Sequence, residues 1–162
     1  MRIGIGHDTH RLVEGRPLVL GGVTIEHPKG LEGHSDADVV MHAVTDALLG
    51  AACLGDIGEQ FPDTDPRWEG AAGAKLLSTC LGMVERHGWK PVNVDLTIHA
   101  EEPKLTPYKE EMVANIAAAL QLAPDEVSVK AKTGEGVGPI GRREAIGCDA
   151  VILLRRATLG PR

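Results

Sequence analysis

Five of the seven histidines fall within the first 42 residues: His7, His10, His27, His34 and His42. Asp8 and His10 lie two positions apart, following the period-two stretch Arg2-Ile3-Gly4-Ile5-Gly6. Alternate residues of a strand share a face, so this carboxylate and this imidazole point the same way. His42 belongs to a helical stretch, one turn after Asp38 and one turn before Asp46. A strand-borne Asp-x-His pair and a helix-borne His can converge on one metal. Two imidazoles and one carboxylate suit Zn²⁺ and leave one tetrahedral position open, as in catalytic rather than structural zinc sites. Asp38 or Asp46 would orient His42 by accepting its second ring N–H. His7, His27, His87 and His99 have no such companions and are expected at the surface or the rim of a site.

Two further segments carry polar chemistry. Gly55-Asp56-Ile57-Gly58 and Phe61-Pro62-Asp63-Thr64-Asp65 form a long loop directly after the His42 helix, and long loops in compact domains are often functional. Its carboxylates suit the hydroxyls of a sugar or polyol, or a bridging cation; a solvated turn is the plain alternative. Lys130-Ala131-Lys132-Thr133-Gly134-Glu135-Gly136 ends a strand with lysines, a hydroxyl, glycines and a carboxylate. Backbone N–H groups and Thr133 can cradle phosphate oxygens there, and Glu135 can ligate a Mg²⁺ that bridges two phosphates. The order of a Walker loop is absent.

The elements that must hold these groups are legible as an alternation of strands and helices. Strands are expected at Arg2–Gly6, Leu18–Leu20, Val23–Ile25, Val92–Ile98, Val127–Ala131 and Ile146–Leu153. Ser35 is expected to cap a helix that runs to about Ala52, with Asp38 in the capping-box position and Pro28 and Gly30 to Gly33 as a loop before it. Further helices are expected over Ala71 to His87, stopped by Gly88, and over Lys109 to Leu120. The class is α/β or α+β: one mixed β-sheet covered by helices on one face, with residues 1–162 as a single domain.

Composition narrows the field. The net charge of -6 and the lack of a basic run argue against a nucleic-acid binder. The longest apolar stretch, Ala145 to Leu154, is interrupted by Asp149 and is about half a membrane span. Met1-Arg2-Ile3-Gly4 opens on a strand-like pattern without an apolar signal region. Cys53, Cys80 and Cys148 are far apart and read as small buried hydrophobes of a reducing, cytoplasmic setting. Only 2% of the residues are aromatic, so the core must be aliphatic, which suggests close backbone packing or burial contributed by partner subunits.

Taken together, these residues resemble the 2-C-methyl-D-erythritol 2,4-cyclodiphosphate synthase family. The likeness spans nearly the whole chain: Arg2 to His10, His34 to Asp38, His42 to Ala51, Leu54 to Gly58, Phe61 to Pro66, Val129 to Glu135 and Gly141 to Glu144. It implies a homotrimer with active sites between subunits and sheets around the threefold axis. It also implies a cytidine diphosphate substrate, 4-diphosphocytidyl-2-C-methyl-D-erythritol 2-phosphate, cyclised with release of CMP. By the same resemblance Asp8, His10 and His42 would hold Zn²⁺, and Glu135 would help hold Mg²⁺ or Mn²⁺ on the diphosphate. His34 and Thr133 would act on the reacting phosphates, with Thr9 and Ser35 beside them. Asp56, Ile57, Gly58, Phe61, Pro62, Asp63, Thr64 and Asp65 would enclose the erythritol. Ala100, Glu101, Glu102, Pro103, Lys104, Leu105 and Thr106 would enclose the cytidine from the neighbouring subunit, together with Ala131, Lys132 and Gly134. Some relatives hold an isoprenoid diphosphate on the trimer axis at the positions of Pro139 and Arg142. Here Pro139 replaces the usual aromatic residue and Arg143 a small one, and the resemblance does not extend to that ligand. From the residues alone, two other readings stay open: a metal-dependent phosphohydrolase using zinc-bound water, and a non-catalytic metal- or nucleotide-binding module.

Overall fold

From Ile3 to Leu12 the even-numbered positions are Gly, Gly, Asp, His and Leu, and the odd-numbered ones Ile, Ile, His, Thr and Arg. This alternation makes one face buried and the other bare. The computed structural model describes residues 1–62 and 64–157; Asp63 and residues 158–162 lie outside the described residues. The chain forms β1 (Arg2–Glu14), β2 (Leu18–Leu20), β3 (Val23–Ile25), β4 (Lys29–Leu31), α1 (Val39–Ala52), α2 (Ile57–Gln60), α3 (Gly73–Arg86), β5 (Trp89–His99), α4 (Lys109–Leu120), β6 (Val127–Lys132), α5 (Gly138–Gly141) and β7 (Ala145–Arg156). Five strands make one mixed sheet in the order β4-β1-β7-β5-β6, in which only β5 and β6 run parallel. β2 and β3 form a separate hairpin. The expected class, a mixed sheet with helices on one face, is the one observed.

Helix α1 lies across β1 and β7, with α3 beside it and α4 against α3. Two glycines permit this. A Cβ on Gly4 would overlap the Ala47 carbonyl and lie 2.8 Å from Ala51 Cβ; one on Gly6 would overlap the Ala43 carbonyl and lie 2.6 Å from Ala47 N. Backbone therefore meets backbone, and α1 is buried along nearly all its length. Of the Asp38, His42 and Asp46 stripe, Asp38 and His42 are buried and Asp46 is half-buried, and His42 is the one that lines a cleft.

Three expectations need correction. The helix cap is Asp38, not Ser35: Asp38 accepts from Val40 N and Met41 N at 3.1 Å, and also from Gly21 N and Gly22 N in the β2–β3 turn. A carboxylate has acceptor capacity for four N–H groups where a hydroxyl does not, so one buried side chain closes both a helix and a hairpin. Gly30 is not in a loop but in β4, paired with Val13. A Cβ at Gly30 would overlap the carbonyls of Arg16 and Pro17, so this glycine marks a close backbone approach rather than a break. Cys53 is exposed as the left-handed cap of α1 (φ 59°), while Cys80 and Cys148 are buried. Burial and the negative charge of Asp46 push the Cys80 thiol up to about 12, consistent with an inert packing residue.

The face of the sheet away from the helices is bare. Ile3 and Ile5 are 71% and 73% exposed, and Val151 joins them. Beside them Asp149 accepts from both His7 Nδ1 and His99 Nε2 at 2.7 Å. Aliphatic residues dominate the core, and among the aromatics Phe61 and Trp89 are buried in it. No helix among the described residues is long and apolar enough to cross a membrane.

Candidate active site

Asp8 and His10 project from the α1-facing side of β1, as their spacing requires, and His42 projects toward them from α1. One ligand atom from each lies within 4.8 Å of the others. His10 Nε2 is 2.9 Å and His42 Nδ1 3.1 Å from Asp8 Oδ2, and the two nitrogens are 3.4 Å apart. Bonds of about 2.0–2.1 Å to a tetrahedral zinc place ligand atoms roughly 3.3 Å apart, so the three atoms already stand near ligand spacing.

The outer partners support the same fit. His10 Nδ1 lies 2.6 Å from the Glu32 carbonyl. A carbonyl only accepts, so Nδ1 carries the proton and Nε2 offers its lone pair to the centre. His42 Nε2 lies 3.0 Å from Ser35 Oγ, which leaves Nδ1 for the centre. Neither Asp38 nor Asp46 orients His42: Asp38 caps α1, and Asp46 accepts from Ile57 N at 2.8 Å. Burial opposes the charge on Asp8, but hydrogen bonds and charge from His10 and His42 outweigh it and hold the carboxyl well below the usual range. Burial likewise opposes the His10 cation, yet the Asp8 carboxylate raises that imidazole above its ordinary value. A cation placed among these atoms would replace the shared protons.

The triad lines a cleft of about 310 Å³ with His34, Ser35, Ile57, Gly58 and Phe61, all read from sequence, and with Gly33, Trp68 and Leu76, which were not. Trp68 packs edge-on against Phe61 at 4.7 Å between centroids. Only the fold reveals that contact, because no spacing rule links this tryptophan to a phenylalanine seven residues earlier. A second cleft, of about 260 Å³, is lined by Ala100, Glu101, Pro103, Lys104, Leu105 and Thr106 with Ala131, Lys132, Thr133 and the unanticipated Lys109. Gly134 N donates to Glu101 Oε2 at 2.9 Å and ties its two walls together. Thr133 Oγ1 donates to Glu135 Oε1 at 2.8 Å.

Other expected site residues stand apart from both clefts. Thr9 faces the bare side of the sheet and contacts His7. Asp56 caps α2 through Glu59 N. Asp65 pairs with Arg67, Glu102 with Arg143, and Arg142 with Glu144. Pro62, Thr64 and Pro139 are exposed, and Asp63 lies outside the described residues. The first cleft sits beside β1 and the second beside the edge strand β6, with β7 and β5 between those strands.

Comparison with known proteins places this geometry in a family. Proteins described as 2-C-methyl-D-erythritol 2,4-cyclodiphosphate synthase from Bordetella pertussis and Dechloromonas aromatica are 60% and 56% identical to the chain. Each alignment covers 96% of the chain, with 96% and 97% of the relative. A solved synthase of that description in a CDP-bound form superposes with a TM-score of 0.88 at 43% identity, over 95% of this chain and all of that one. The bifunctional IspDF of Campylobacter jejuni gives 0.92 at 42% identity, over 96% of this chain and 42% of its own longer one. Residues 1–155 match the YgbB family, and with a metal-ready Asp-His-His centre on the same fold the chain belongs to that family of cyclodiphosphate synthases.

Proposed function

We propose that the chain converts 4-diphosphocytidyl-2-C-methyl-D-erythritol 2-phosphate to 2-C-methyl-D-erythritol 2,4-cyclodiphosphate and CMP, in the non-mevalonate route to isoprenoid precursors. The observation that carries this reading is the convergence of Asp8, His10 and His42 at ligand spacing in a chain 60% identical to a synthase over nearly its full length. An oxygen of the substrate's 2-phosphate attacks the β-phosphorus. The bond from that phosphorus to the bridging oxygen breaks, and CMP departs with the electron pair. Phosphoryl transfer needs alignment and charge neutralisation more than a covalent nucleophile.

Each group then has a task. Asp8, His10 and His42 hold Zn²⁺, which when bound supplies Lewis acidity to a phosphate oxygen. Glu135, an exposed carboxylate beside Thr133, fits Mg²⁺ or Mn²⁺, which keep several waters and take substrate phosphates as ligands. His34 and Thr133 steady the reacting phosphates from the first and second clefts respectively, while Lys104 and Lys132 bring positive charge to the second. Asp56, Ile57, Gly58 and the Phe61 to Asp65 segment take the erythritol. Ala100 to Thr106 take the cytidine.

The two clefts lie beside β1 and β6, with β7 and β5 between those strands. A neighbouring copy that presents its second cleft to the first completes the site, and the bare face around Ile3, Ile5 and Val151 offers apolar area for such association. The proposed assembly is a homotrimer with that face inward, in the cytoplasm. Arg142 is held by Glu144 and Pro139 offers no aromatic ring, so an axial isoprenoid diphosphate forms no part of this reading.

CMP release from the diphosphocytidyl substrate tests the proposal. The metal-loaded protein is expected to give CMP and a cyclic diphosphate with no ¹⁸O taken from labelled water, and chelation is expected to abolish turnover. Incorporation of solvent oxygen into the product would point instead to hydrolysis by bound water, and CMP binding without turnover to a binding module.

A further inference from the structure

Asp46 sits on α1 one turn beyond His42, half-buried, and no metal-site atom uses it. Its Oδ1 accepts from Ile57 N at 2.8 Å, the opening N–H of α2. Asp56, which caps that short helix, spends its own carboxylate on Glu59 N at 2.9 Å. The leading N–H groups of a helix lack partners within it, so Asp46 serves a donor that the local cap leaves over. The segment so held is a wall of the metal cleft: Ile57, Gly58 and Phe61 all line it. Phe61 N donates back to the Ile57 carbonyl at 2.9 Å, and Gln60 Nε2 to the Leu54 carbonyl at 2.9 Å.

We infer that Asp46 is a positioning residue that clamps the Ile57–Phe61 wall to the same helix that carries His42, fixing the distance between metal and bound substrate. Burial raises its carboxyl above the ordinary value, and the negative charges of Asp56 and Asp8 act the same way, while the Ile57 N–H opposes them. A half-buried carboxylate facing two others is tolerated there because it has this bond to make. Losing Asp46 should leave the ligand triad intact and let the wall move, which weakens substrate binding before it touches the metal.

The kinetic part of this inference rests on the synthase reading; its structural part does not. In Asp46→Ala, amide exchange of the peptide carrying Ile57 is expected to quicken by about tenfold or more, the scale of one charge-assisted hydrogen bond. Zinc stoichiometry should match the parent protein, and KM should rise by a similar factor with kcat changed far less. Asp46→Asn keeps an acceptor oxygen at the same reach and should recover most of both effects. Zinc loss in Asp46→Asn would overturn the inference by showing that the residue acts through His42, as would parental exchange and KM in Asp46→Ala. If the alanine variant does not fold, the asparagine variant decides: parental zinc with KM within a few-fold upholds the clamp, and lost zinc removes it. A parent protein that releases no CMP while the exchange difference persists would refute the synthase reading and leave the clamp standing.

Discussion

His42→Ala is expected to remove bound zinc and activity together while the protein stays folded. Loss of an outer hydrogen-bond partner of a metal ligand costs about 10–100-fold in affinity; loss of one of three protein ligands should exceed the upper figure. Lewis-acid stabilisation is a matter of several kcal/mol, so kcat should fall by about a thousandfold or more. The fold should survive because the imidazole points into a cleft beside Asp8 and His10, not into the aliphatic core. Metal analysis, thermal melting and CMP release on one preparation check the three parts. Full activity in zinc-free buffer would sink the assignment of the centre.

Gly6→Ala is expected to be the most damaging small substitution on β1. The added methyl would overlap the Ala43 carbonyl and crowd Ala47 N, and neither can yield without moving α1 as a body. Overpacking commonly costs about 1–3 kcal/mol, and backbone obstacles take it to the top of that range or beyond. About 3 kcal/mol corresponds to a Tm loss of roughly 6–12 °C for a chain of this size. Because His42 rides on α1 and Asp8 and His10 on β1, a lifted helix also parts the ligands. Gly6→Ala should therefore lose zinc affinity as well as stability, whereas a surface change such as Lys75→Ala should affect neither. A variant with unchanged Tm would mean that the helix tolerates a wider separation than the packing implies.

Local rules made much of this legible. Period-two spacing put Asp8 and His10 on one face, and helical spacing put His42 on the neighbouring element; the Lys109–Leu120 helix has the limits its pattern predicted. What the sequence hid was competition among acceptors. Ser35 has the residue type and position of a cap, but Asp38 closes α1 because a distant hairpin's Gly21 and Gly22 N–H groups need its carboxylate. Ser35, released from capping, contacts His42 instead. Asp46 was misread for the same reason: its partner, Ile57 N, opens the short helix α2 inside the segment expected as a loop, whose path no periodicity describes. Gly30 looked like a breaker because composition cannot distinguish a glycine that bends the chain from one that lets two backbones pass. The separation of the expected site residues between two clefts was invisible to residue spacing, since it follows from strand order across the sheet.

That division has a genetic meaning. If each working site takes one cleft from each of two neighbouring copies, lesions in the first cleft and lesions in the second do not damage the same partner of a site. A chain lacking His42 still carries an intact Lys104 wall, and a chain lacking Lys104 still carries an intact zinc triad. Each is expected to be inactive alone. Expressed together, they should form mixed assemblies in which some sites pair two sound halves, so that two null alleles of one gene complement each other. Two alleles damaged in the same cleft should not.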